Sequence, residues 1–103
     1  MSEVWKYPIE PGDRWLDLPK GSTFLHVGVQ DGQPYVWALV HPEQPLRRRH
    51  IATYGTGHRI DGSPSYLGSF MLHGGRLVFH TFTTSSELPL SYEPPSTASQ
   101  DPV

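Results

Sequence analysis

The chain has 103 residues, no cysteine, ten acids against eight Lys and Arg, and a net charge of −2. That length holds one domain and excludes a second core, and the missing thiols exclude a disulfide framework, a thiolate metal site and a cysteine nucleophile. No apolar run approaches the roughly 18 residues of a membrane span, and MSEVWKYPIE lacks the basic and apolar regions of a signal peptide, so a soluble, cytosolic protein with no membrane partner is expected.

Val4 to Ile9 is aromatic and β-branched and is stopped by Pro11-Gly12. Trp15 to Leu18 reads as a short strand stopped by Pro19-Lys20-Gly21. The strongest local signal follows, with Thr23 to Gln30 and Pro34 to Val40 flanking Asp31-Gly32, a pair that predicts a tight hairpin turn with positive φ. After a proline-marked loop over His41 to Pro45, strands are expected at Arg47 to Tyr54, Tyr66 to Leu72 and Leu77 to Phe82, the last two joined at Gly74-Gly75. No window shows a 3.6-residue apolar period with helix caps. Residues 1–84 are therefore expected to form an all-β domain of six or seven antiparallel strands, mostly a meander, packed as a small sandwich or half-open barrel.

From Ser85 the chain reads SSELPLSYEPPSTASQDPV, with three of the ten acids, no Lys or Arg and few large apolar groups. Such a stretch buries too little surface to offset its ordering entropy, so residues 85–103 are expected to form a flexible Pro/Ser-rich acidic tail. The remaining seven acids and all eight bases lie in residues 1–84. A nearly neutral body argues against duplex nucleic acid as a partner, because phosphate-driven binding needs a broad basic face.

Period-2 alternation places Leu25, Val27 and Val29 opposite Phe24, His26, Gly28 and Gln30, and places Val36, Ala38 and Val40 opposite Tyr35, Trp37 and Leu39. Both faces of this hairpin carry large apolar groups. Two coverings are open for the second face: another subunit, giving a homo-oligomer, or the N-terminal segment with Trp5 and Trp15.

LPKG at 18–21, LHVGVQDGQPYVWALVHP at 25–42, GTGH at 55–58, YLGSF at 66–70 and GGRLVFHTF at 74–82 together resemble a family of short uncharacterised proteins found mainly in bacteriophage genomes. The resemblance implies a phage setting, hence the cytoplasm of a host bacterium, and one compact domain. It carries over no catalytic residue.

Six histidines stand at 26, 41, 50, 58, 73 and 80, yet no His-x-His or His-x-x-x-His spacing or matched carboxylate joins them, so no metal is expected. His80-Thr81-Phe82-Thr83 misses the register of a two-histidine phosphodiesterase, and there is no Gly-x-Ser-x-Gly elbow. The acids sit mainly in turns and termini, away from the paired placement a glycosidase needs. No catalytic residue and no cofactor are expected.

The remaining candidate is Tyr54-Gly55-Thr56-Gly57-His58-Arg59. Two glycines free a backbone to turn its N–H groups toward an anion, Thr56 adds a hydroxyl, and His58 and Arg59 add donors; the same residues also suit a turn that ends a strand. Arg47 and Arg49 lead into it, and Tyr54, Tyr66 and Trp37 are candidates to stack on a base. The expected function is a non-catalytic phage protein that sequesters a small phosphorylated nucleotide signal of host defence. The alternative is a protein interaction or virion structural module with no small ligand.

Overall fold

The computed structural model describes residues 1–94. Among them are seven antiparallel strands: β1 Glu3–Pro8, β2 Gly12–Pro19, β3 Thr23–Gln30, β4 Gln33–Val40, β5 Leu46–Gly55, β6 Ser65–Leu72 and β7 Leu77–Thr83. They form two sheets, A in the order β1-β4-β3 and B in the order β2-β5-β7-β6. No helix of the described residues is long and apolar enough to cross a membrane.

All the expected strands form, and local chemistry explains why. Asp31 and Gly32 take φ of 52° and 78°, the two positive values that a tight hairpin turn needs to match the strand twist. Strand β4 alternates without a break: Pro34, Val36, Ala38 and Val40 are buried while Gln33, Tyr35, Trp37 and Leu39 are half-covered on the other side. The expected meander is corrected by the strand order, since only β3-β4 and β6-β7 join neighbours in sequence. The chain passes from β1 in sheet A through Ile9 to β2 in sheet B, so the first two strands lie in different layers. Ile9 is fully buried and its N–H donates to the Pro34 carbonyl at 3.0 Å, which pins this crossing.

The layers meet over Ile9, Val27, Val36, Ile51 and Phe70, continued by Leu18, Ala38 and Val40. Each of the larger side chains, Ala38 apart, contributes roughly 1.5–3 kcal/mol on burial. Strands β3 and β6 bring the sheets together along one side without a ladder between them. A Cβ on Gly68 would stand 3.1 Å from that of Val27, so the close approach needs glycine.

A bulge between Phe24 and His26 shifts the register of β3. It corrects the simple alternation: Phe24 and Val27 both face the core, whereas Leu25 is 52% exposed. The N-terminal covering is corrected too. Trp5 lies in β1 within sheet A, and Trp15 lies against His50 and Tyr92 beside sheet B, so neither folds over the outer face of the hairpin.

Contacts with the body continue past Ser85. Arg48 and Leu88 exchange both backbone hydrogen bonds, at 2.7 and 2.9 Å, which carries the pairing of β5 beyond the end of β7. Glu87 accepts from the Gly21 N–H at 2.7 Å and lies 3.8 Å from Arg49. The segment read as a loose tail is therefore seated on the domain through Tyr92; the part of that expectation concerning 95–103 lies outside the described residues.

Between β5 and β7, the buried hydroxyls of Thr53 and Thr81 share a hydrogen bond of 3.0 Å. Thr53→Val or Thr81→Val alone strands one buried hydroxyl and should cost about 1–3 kcal/mol, whereas the double substitution should be nearly neutral. Thermal unfolding of the three variants checks this; additive losses would show that the pair is not a coupled bond.

Candidate functional site

Strand β5 separates the two halves of the expected site. The arginine run lies at its start and the glycine turn at its end, and from Arg49 to Thr56 the strand rise amounts to roughly 23 Å. No single phosphate spans that distance. The arginines are also engaged locally. Arg47 donates to the Leu46 carbonyl at 3.0 Å, and the Arg48 Nε lies 3.5 Å from an Asp17 oxygen as an ion pair without hydrogen-bond geometry. Arg49 is 7% exposed, lies 4.8 Å over the Phe24 ring and donates to the Ser22 carbonyl at 3.0 Å. Burial lowers its pKa, and Glu87 pushes it back up. Its place is structural: it ties the Pro19–Ser22 turn and Glu87 to β5.

At the other end, Gly55 to His58 forms a turn. The His58 N–H donates to the Gly55 carbonyl at 3.1 Å, and Gly57 occupies the third position with φ of 91°. A turn with that sign at that position favours glycine. The Thr56 N–H donates to the Val78 carbonyl at 3.2 Å, which leaves Gly57 as the turn amide with no backbone partner among the described residues. The motif is thus a strand-ending turn with at most one amide turned outward.

The turn sits beside a polar chain that crosses three strands. Tyr66 and Ser69 are 2.8 Å apart at their hydroxyls, Ser69 Oγ is 2.8 Å from His80 Nδ1, and His80 Nε2 is 2.8 Å from Thr56 Oγ1. Thr56 in turn donates to the Val78 carbonyl at 3.4 Å. A neutral imidazole satisfies the whole sequence in one direction: Tyr66 donates to Ser69, Ser69 to Nδ1, Nε2–H to Thr56, and Thr56 to the carbonyl.

Next to this chain three rings meet on the outer face of sheet B, Phe82 tilted 50° to Tyr54 and 65° to Tyr66. The centroid of Phe82 is 6.1 Å from that of Tyr54 and 5.6 Å from that of Tyr66, and the His58 ring lies 5.9 Å from Tyr54. Tyr66 is 59% exposed. Burial, then Asp13 and Asp61, raise the pKa of the Tyr54 phenol, so it stays protonated near neutral pH. Arg59 is almost wholly exposed and lies 3.3 Å from Asp61. A cleft of about 400 Å³ opens beside the turn, at the start of β7 and away from Phe82, lined by Gly55, Thr56, Arg76, Leu77, Val78 and Phe79.

Of the sequence candidates, the structure links Tyr54 and the Gly55 to His58 turn with Tyr66 through Phe82 and His80, and Arg59 follows the turn as an exposed partner of Asp61. Arg47 and Arg49 are placed at the other end of β5. Trp37 belongs to sheet A, where its ring lies 5.5 Å from His26 and 5.8 Å from Tyr35. Ser69, His80, Phe82 and Arg76 were missed. Alternation in Leu77 to Phe82 could have put His80 and Phe82 on one face, but nothing local says which strands flank them. Among the described residues no group of three or more His, Asp or Glu is placed to hold a metal ion.

Fold and site together define a small two-sheet β domain with a partly exposed row of aromatic rings beside a polar turn. The chain belongs to the family of a domain of unknown function, DUF7352, whose profile matches residues 1–90. Neither the curated proteins nor the solved structures gave a match.

A Cβ on Gly57 would meet no atom within 4 Å, so Gly57→Val is limited by backbone strain alone. It should cost about 1–3 kcal/mol, and Gly57→Asn distinctly less. Urea unfolding measures both; equal stability of the valine variant would contradict the positive-φ assignment.

Proposed function

We propose that this domain is a non-catalytic binding protein for a small phosphorylated nucleotide-type ligand, held on the outer face of sheet B. The observation that carries the reading is the row Tyr54, Phe82 and Tyr66 on three adjacent strands. Flat aromatic groups on a rigid sheet offer a base a stacking surface at little entropic loss. The hydroxyl chain beside them keeps acceptor lone pairs for the hydroxyls of a sugar, its own hydrogens being spent within the chain. The five sequence blocks support the setting: a phage protein acting in the cytoplasm of a host bacterium, where it sequesters a nucleotide signal of defence.

The outer face of sheet A favours a second role, contact with another copy of the chain. Trp37, Tyr35 and Leu39 are only half-covered there, and neighbouring Val4 and Leu25 are 55% and 52% exposed. A homo-oligomer closes such a face. This is also the face on which an interaction or virion module would bind.

Mono- and diphosphates of the four common nucleosides, tested by calorimetry, should include at least one that binds. Tyr66→Ala should then weaken it by about 1–3 kcal/mol without lowering the melting temperature. No binding by any probe, or binding indifferent to Tyr66, would sink the platform. Light scattering at tens of micromolar should give a mass above that of one chain; a monomer would end the oligomer reading.

A further inference from the structure

Of the arginines expected to hold phosphate, Arg49 is buried between the layers, Arg47 falls on the same side of β5 by alternation, and Arg59 is paired with Asp61, so the anionic part of a ligand on the outer face needs another partner. Arg14 pairs with Glu10 at 3.0 Å, Arg48 with Asp17 at 3.5 Å and Arg59 with Asp61 at 3.3 Å, while Arg49 is buried beside Glu87. Arg47 stands at the far end of β5. Arg76 differs from all of these. It is exposed, forms no salt bridge among the described residues, and lines the cleft together with Gly55 and Thr56. Its backbone is fixed, because its N–H donates to the His73 carbonyl at 3.3 Å in the turn before β7.

The order of groups along this strand sets the order of parts in a ligand. Phe82 belongs to the stacking row, and His80, two residues earlier on the same face, holds the hydroxyls of Ser69 and Thr56. Arg76 comes four residues before that, in the turn just ahead of the strand, and the strand rise from Phe82 back to Leu77 is about 17 Å. A base on the platform with its sugar near His80 therefore leaves a gap before the guanidinium. One phosphate on the sugar falls short of closing it, and a chain of two or more extends across.

We propose that Arg76 is the phosphate-recognising residue of this site and that the ligand is a nucleotide bearing a pyrophosphate or longer phosphate chain. The chain runs past Thr56 and the free Gly57 amide and ends at Arg76, whose planar fork suits a terminal phosphate. This rests on the platform reading and adds the ligand class to it.

The test is calorimetric titration of the full chain with adenosine, guanosine, cytidine and uridine mono- and diphosphates, repeated on Arg76→Ala, Arg76→Lys and Arg59→Ala. For a base that binds, the diphosphate should be tighter than the monophosphate by about tenfold or more. Arg76→Ala should bring the diphosphate down to the level of the monophosphate and leave the monophosphate unchanged. Arg76→Lys should keep part of the gain, and Arg59→Ala all of it. Equal affinity for mono- and diphosphate in the parent chain, or a gain that survives Arg76→Ala, overturns the assignment while the platform stands. Absence of binding by every probe overturns both.

Discussion

Strand β5 is paired along both edges, with β2 over Leu46–Thr53 and with β7 over Ile51–Gly55. A strand held on two sides can neither slip nor rotate, because a one-residue shift would move Ile51 out of the core and His50 into it. The buried Thr53 and Thr81 hydroxyls reinforce this register, since each is satisfied only when the two strands stand opposite as they do. Everything else in sheet B takes its place from this ladder. It sets Tyr54 beside Phe82, puts Gly55 against Phe79, and brings Thr56 within reach of His80.

The same ladder explains why a basic run in the sequence is not a basic patch in the fold. Successive residues of a strand point to opposite sides, so Arg47, Arg48 and Arg49 cannot act together on one face. Arg48 points outward to Asp17, and Arg49 is drawn between the layers, where the Phe24 ring and the Ser22 carbonyl compensate part of its desolvation. A buried guanidinium needs partners on several sides. Glu87 supplies one, which gives the segment after β7 a reason to stay on the domain.

The turn after β5 is closed by its own hydrogen bond and tied to β7. Its amides are spent mostly on the turn itself and on Val78, so a wide anion nest is not what the two glycines build. The threonine between them joins the turn to His80, and through His80 to β6. Rigidity rather than direct phosphate capture is the contribution of the motif: the hydrogen-bonded chain fixes the Tyr66 ring, and with it the outer edge of the aromatic row. On the proposed reading, anion contact falls to Arg76, a side chain that the turn borders.

What the sequence determined by itself was local. Alternating apolar residues set seven strands within one to three residues of their ends, and Asp31-Gly32 set one hairpin turn, because side-chain period and φ preference act over a few neighbouring residues. Tyr54, Thr56 and His58 were legible as site candidates for the same reason, being polar or aromatic groups beside glycines, and Tyr66 as an aromatic able to stack. Tertiary structure alone decided the rest: that β1 and β2 belong to different sheets, that Arg49 is interior, that Trp37 lies on the other layer, and that Ser69, His80 and Phe82 join the turn. Each of these depends on pairings between residues far apart in the chain. Such pairings are chosen by how two hydrophobic faces close on one another, a property of the whole packed core that no short stretch of sequence contains.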